Sequence, residues 1–405
     1  MKAIHYGWVI VGVGVLVKMT SLGFGRFAYP MLLPNMRASL SFNYSELGLL
    51  SGAIMLGYLL FSLIGGLLAT RFGPKRIVIA SILCSAFSMF FMGRLSGFFP
   101  LLFFSFAMGA GAAGSHISIT TLPMVWFDEQ RLGRAVGIVT GGTGLGIIVT
   151  GLLLPYLLFH LGEEAWRQCW SLLALITFSV AVLGSILLRE KPGSTAFPAA
   201  GVDEEKMSRL FKRQGHKLTL KAIFIIYFIF GFSYNIYATY FVAYMIEEIR
   251  LTAKTAGDIW AVFGWMCTGS GLVWGYVSDR LGRRKALLWN NGIISLSVLL
   301  PLLLHRTFFM GFSAFLFGGT FLGMVTLVAA SVGDQVGERR ASVYGLVTLI
   351  HGIGQFLGTI SGGYLKDVTG SFQLTLIVSL TGFLLCLFVT VMNKKRVRSL
   401  SPFMA

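Results

Sequence analysis

Apolar runs divide the chain into twelve pieces, at residues 7–34, 44–70, 76–94, 97–125, 134–158, 165–188, 219–246, 256–278, 286–304, 308–331, 341–365 and 372–393. Each is near or above the roughly 20 residues that carry a helix across the hydrocarbon of a bilayer. Only helices and closed barrels satisfy their backbone in lipid, and runs this long are helical. The pattern predicts an all-α membrane protein with twelve transmembrane helices. One substantial polar stretch, 189–217, follows the sixth run and carries Pro192, Gly193, Pro198 and mixed charges. It predicts a six-helix half at 1–190, a cytoplasmic linker at 191–217 and a second six-helix half at 218–405.

Charge then orients the spans. With the N-terminus placed inside, 24 Lys and Arg residues fall on the cytoplasmic side and 7 on the outer side. That bias predicts both termini in the cytoplasm, as expected of a multi-pass protein of the cell inner membrane. Composition agrees: 55% of residues are hydrophobic and 12% charged, about half the charged fraction of a soluble protein. The net charge of +17 would point to nucleic acid in a soluble chain,. Here it is scattered over short loops, so no nucleic-acid partner is expected, only the lipid bilayer. Cys84, Cys169, Cys267 and Cys386 fall singly, with neither metal spacing nor a disulfide framework,. The first run is too long for a cleavable leader and lacks a small-residue cleavage site.

The halves repeat. Gly66-Leu-Leu-Ala-Thr-Arg-Phe-Gly73-Pro-Lys-Arg76 follows the second span, and Gly275-Tyr-Val-Ser-Asp-Arg-Leu-Gly282-Arg-Arg-Lys285 follows the eighth, 209 residues later. Gly137 and Gly345, early in the fifth and eleventh spans, recur at an offset of 208. Two matches at nearly one offset imply duplicated halves, an arrangement suited to alternating access around a central site.

The second of these loops, Gly275 to Arg284, resembles the signature loop of the major facilitator superfamily. With the duplication and the twelve spans, the resemblance covers essentially the whole chain. It implies two pseudo-symmetric six-helix bundles. It also implies a cytoplasmic gate in which Asp279, Arg280 and Arg283 latch that side, with Arg71 as the first-half counterpart. The first-half copy has Thr70 where the family carries Asp. These charges could also serve only to set topology. The family's drug/proton antiporters carry an Arg in span four and a Gly-Pro pair in span five, where this chain has Ser105 and Gly141-Gly142. Together with the run from Gly25 to Pro30 and the segment from Trp126 to Ala135, the chain looks most like the YbfB/YjiJ-type branch. It is more distantly similar to bacterial monocarboxylate and oxalate/formate carriers.

Two residues break the first span. Lys18 lies near its middle and Arg26 two turns on, where an ionisable group should face protein or a water-filled space. All 16 acids lie at span ends or in loops, so no deep carboxylate neutralises the pair. The missing charge is expected from an anionic substrate. A guanidinium fork suits a carboxylate bidentately, whereas Lys acts as a point charge. Eight residues of regular helix separate them by about 12 Å along the axis and about 80° around it. Which of Arg26 and Lys18 meets the substrate stays open, as do snorkelling of Arg26 and a structural Lys18. Tyr234, Asn235 and Tyr237 in span seven and Gln355 in span eleven are candidate substrate ligands, against a plainer reading of core packing. His351 and His116, the two histidines within spans, are candidate proton carriers.

No catalytic spacing, nucleotide motif or cofactor site is evident, so an enzyme is not expected and transport must draw on a gradient. The expected activity is secondary transport of a small organic anion by a monomer, coupled to proton symport. The alternatives are a proton-driven efflux antiporter for amphipathic compounds, which the broken antiporter motifs oppose, and a non-transporting sensor.

Overall fold

The structure, a computed structural model, describes residues 6–162, 164–190, 218–336 and 340–393. The expected linker at 191–217 and both chain ends lie outside the described residues. Among the described residues twelve helices follow in order: α1 Gly7–Leu40, α2 Tyr44–Phe72, α3 Pro74–Met92, α4 Phe98–Trp126, α5 Glu129–Leu161, α6 Ala165–Leu187, α7 Leu220–Glu247, α8 Ala253–Leu281, α9 Arg283–Leu303, α10 Thr307–Val336, α11 Arg340–Thr369 and α12 Phe372–Met392. Eleven are long and apolar enough to cross a membrane on their own. The exception, α8, has the length, at 29 residues, and its charges Lys254, Asp258, Asp279 and Arg280 lie toward its ends, but the Gly, Trp, Ser and Thr residues of its middle make it less apolar.

The helices overrun their apolar windows because polar caps begin them. Asn43 and Glu46 form a capping box at α2,. Thr219, Thr252 and Ser371 accept backbone N–H bonds at the starts of α7, α8 and α12,. Gly73 and Gly282 end α2 and α8 at the same φ of +86°, a conformation in which a Cβ is strained. The duplicated loops thus make the same turn. The carboxylate missing at Thr70 has a counterpart from elsewhere: Glu190, after α6, accepts from the Lys75 backbone N–H at 3.1 Å.

Packing repeats with the sequence. Within the first half α1 meets α5 and α6, α2 meets α4, and α3 meets α4 and α6. Adding six to each number gives the pairs of the second half. The halves meet through α5 against α8 and α2 against α11, which are images of one another. Small residues allow the first contact: a Cβ on Gly264 would stand 2.9 Å from the Gly144 carbonyl oxygen,. Large apolar side chains such as Leu67, Phe99, Phe159, Ile186 and Phe308 point outward, where lipid takes the place of water.

One end of the bundle is sealed across the halves. The Asp367 carboxylate on α11 accepts from the Tyr44 and Ser45 backbone N–H groups at 2.9 and 2.6 Å and from the Ser45 hydroxyl at 2.6 Å. It therefore caps the N-terminus of α2, where four backbone donors and the helix dipole favour an anion. The Tyr44 hydroxyl donates to Glu247, which also faces Arg37 at 3.8 Å. Lys366 pairs with Glu248 at 2.8 Å in the same layer. Nearby, Ser39 and Arg167 both donate to Glu164, holding its carboxyl below the usual carboxylate range.

Candidate functional site

The first helix does not run as a regular α-helix. Met19–Phe24 is a π-helical segment between Lys18 and Arg26. This corrects the spacing expected from eight regular residues, since each π-helical residue turns less than an α-helical one. Thr20 at its start bonds back to the Leu16 and Val17 carbonyls, a local competition that loosens helices. The segment is pinned from outside, because Gly23 packs on Gly146 of α5 backbone to backbone. Gly146→Ala is expected to force these helices apart and lower stability by about 1–3 kcal/mol, read as a fall in melting temperature in detergent.

A second irregularity follows Arg26. Pro30 has no N–H to give the Arg26 carbonyl, and its ring crowds that oxygen. The Met31 N–H bonds Ala28 instead, which frees the Phe27 carbonyl. Trp260 of α8 fills it, donating Nε1–H to Phe27 O at 3.2 Å. The break and its repair turn Arg26 toward the second half.

There the guanidinium meets neutral acceptors. Arg26 Nη2 donates to the Tyr234 hydroxyl, to Asn235 Oδ1 at 3.3 Å and to Gln355 Oε1 at 3.1 Å. Asn235 is held in place by its own bond to the Gln355 carbonyl at 3.0 Å. All three acceptors are buried, while Arg26 keeps partial exposure within the bundle. Lys18 is 1% exposed, and its Nζ donates to His116 Nδ1 at 2.7 Å. Among the described residues no carboxylate pairs with either cation. Lys18 finds its room beside a small residue: a Cβ on Gly142 would stand 2.9 Å from Lys18 Cβ.

The two cations belong to one cluster. The Tyr58 ring on α2 stands 6.0 Å from Arg26 Cζ and 6.1 Å from the His116 ring. On the other side, Tyr234 lies 5.6 Å from the ring of His351, which stacks on Tyr227 at 4.0 Å and bonds the Tyr227 carbonyl through Nδ1. Lys18, His116, Tyr58, Arg26, Tyr234 and His351 thus form a continuous line across both halves.

The other expected residues lie apart from it. Tyr237 bonds Ser313 at 2.6 Å and stacks on Phe317 within the second half. At the end opposite the seal, Arg283 bonds Ser278 and Asp279, each at 2.7 Å, and Asp334 on α10 at 3.1 Å. Arg280 lies over Tyr276, and Arg71 over Phe72. Sequence reasoning missed Tyr58, because a census of charged groups passes over a phenol. It also missed the seal, whose acids looked like ordinary loop charges. A polar residue within an apolar span, Tyr58 beside Gly57, was the available signal.

Among the described residues no group of three or more His, Cys, Asp or Glu side chains could hold a metal ion. The arrangement offers two cations, neutral hydrogen-bonding groups and stacked rings, which is chemistry for holding an anion.

Residues 18–391 match a family model described as "Uncharacterised MFS-type transporter YbfB". The chain is similar to the hexuronate transporter of Bacillus subtilis, with 26% identity covering 86% of this chain and 85% of that one. It is similar to the probable sulfoacetate transporter SauU of Cupriavidus necator, with 22% identity covering 90% and 89%. In structure it is similar to a bacterial homologue of the human lysosomal transporter Spinster in an inward-facing, unoccupied conformation, with TM-score 0.77, 14% identity, and 96% and 97% of the chains covered. That likeness concerns the fold.

Proposed function

The chain belongs to the YbfB-type family of the major facilitator superfamily, which are membrane transporters and not enzymes, and from that premise we propose that it carries a small organic anion by proton symport. One observation carries the reading: two cations stand in the bundle interior with only neutral partners among the described residues. Each buried charge costs free energy unless compensated, and a substrate anion supplies the compensation. Hexuronate and sulfoacetate, the cargoes named for two relatives, are both anions, which supports the same sign.

The cycle runs by alternating access. The excess of Lys and Arg on one side of the spans supports cytoplasmic chain ends in an inner-membrane protein,. The end sealed by Asp367 and Glu247 is then the outer one, and the conformation is closed to the outside. The six-helix halves, 1–190 and 218–405, rock about the α5–α8 and α2–α11 contacts. When the outer end opens, Arg26 exchanges its neutral acceptors for the anion. The anion's charge gives room for a proton on His351, whose Nδ1–H is committed to Tyr227 and whose Nε2 is the receiving atom. The proton and the anion then leave together on the other side. Asp279, Arg280, Arg283 and Arg71 latch that side while the outer end is open.

Uptake of labelled glucuronate and sulfoacetate into proteoliposomes, with and without an acid-outside gradient, tests this. Uptake should rise with the gradient. His351→Asn should lose the stimulation while gradient-independent exchange survives. If neither anion moves in either condition, the reading fails.

A further inference from the structure

We infer that the substrate is a dianion, with one acid group held by Arg26 and the other by the Lys18–His116 pair. The inference rests on the anion reading above and narrows it. Its grounds are the number and placement of the interior charges.

A monoanion bound at Arg26 would leave Lys18 as it now stands. Lys18 is 1% exposed and has one side-chain partner among the described residues, the neutral acceptor His116 Nδ1. An ammonium carries three donors, and burial with one of them used is expensive. A second acid group removes that cost. The partly exposed His116 gives access to the pair from the interior.

The geometry suits two anchors and a short spacer. Tyr58 neighbours both sites, its ring about equally far from Arg26 Cζ, at 6.0 Å, and from the His116 ring, at 6.1 Å. A flat ring with a hydroxyl can pack against the carbon chain joining two carboxylates. The anchors differ in kind. Arg26 offers a planar fork already oriented by Asn235 and Gln355, while Lys18 offers a point charge. They also differ in origin. Lys18, His116, Tyr58 and Arg26 all belong to the first half, whereas the acceptors that hold Arg26 in this conformation belong to the second. A dianion therefore binds both anchors on one rigid body and releases the second half from Arg26, so binding and rocking are linked.

The test is binding of paired probes to the full chain in nanodiscs by calorimetry. Succinate, glutarate and adipate are compared with butyrate, valerate and hexanoate. For at least one length the dicarboxylate should bind at least about tenfold more tightly than its monocarboxylate. Lys18→Gln should abolish that preference, and Lys18→Arg should keep most of it. Should Lys18→Gln fail to fold, His116→Gln, which removes the other half of the second anchor, should shrink the same ratio. Equal affinities in the wild type, or a preference that survives Lys18→Gln, would overturn the dianion while leaving the anion reading standing. If no carboxylate of either series binds, both are wrong.

Discussion

Arg26→Ala is expected to abolish anion binding and transport while leaving a folded, correctly inserted protein. The side chain supplies the interior's only guanidinium among the described residues of the site, and its three acceptors Tyr234, Asn235 and Gln355 cannot replace a cation. Losing a desolvated charge-assisted contact costs about 2–5 kcal/mol, so affinity should fall by roughly thirtyfold to several thousandfold. The fold should not suffer in proportion, because removing an uncompensated interior charge also removes its desolvation cost. The melting temperature without ligand should therefore be unchanged or higher, while stabilisation by added anion disappears. Arg26→Lys should restore part of the binding, since it keeps the charge but not the fork. An Arg26→Ala protein that still binds the anion at wild-type strength would remove Arg26 from the site.

Asp367→Asn is expected to open the sealed end. Asp367 on α11 takes three hydrogen bonds from Tyr44 and Ser45 at the start of α2, so one carboxylate ties the two halves together. Asparagine keeps the shape but loses the charge and one acceptor. Charge-assisted bonds at a helix N-terminus make the difference about 1–3 kcal/mol, which shifts a two-state balance roughly five- to a hundredfold. Spin labels on Ala38 and Lys254, both exposed and in opposite halves, should report a longer distance between them in the variant. A distance distribution like that of the wild type would mean that Glu247, Arg37 and the helix contacts close this end without Asp367.

Much of the architecture was legible in the residues. Spans of about 20 apolar residues have one solution in a bilayer, and the 209-residue offset between Gly73 and Gly282 announced a duplication that the packing repeats. The charge census also singled out the two interior cations. These features are local or statistical, and a sequence carries both kinds.

The partners of those cations were another matter. Arg26 meets Asn235 and Gln355, more than two hundred residues away, and nothing in their spacing says so. The π-helical turn that redirects α1 depends on Gly146 of another helix. Tyr58 joins the two cations only because α2 packs beside α4 and α1. Tyr237 looked equivalent to Tyr234 on the helix, yet it turns to Ser313. The acids of the sealed end resembled loop charges until α2 and α11 were brought side by side. The sequence alone determined that a costly charge sits inside the membrane and that its sign is positive. Only the tertiary structure decided which groups surround it, because contacts between helices are set by three-dimensional packing, in which distance along the chain has no part.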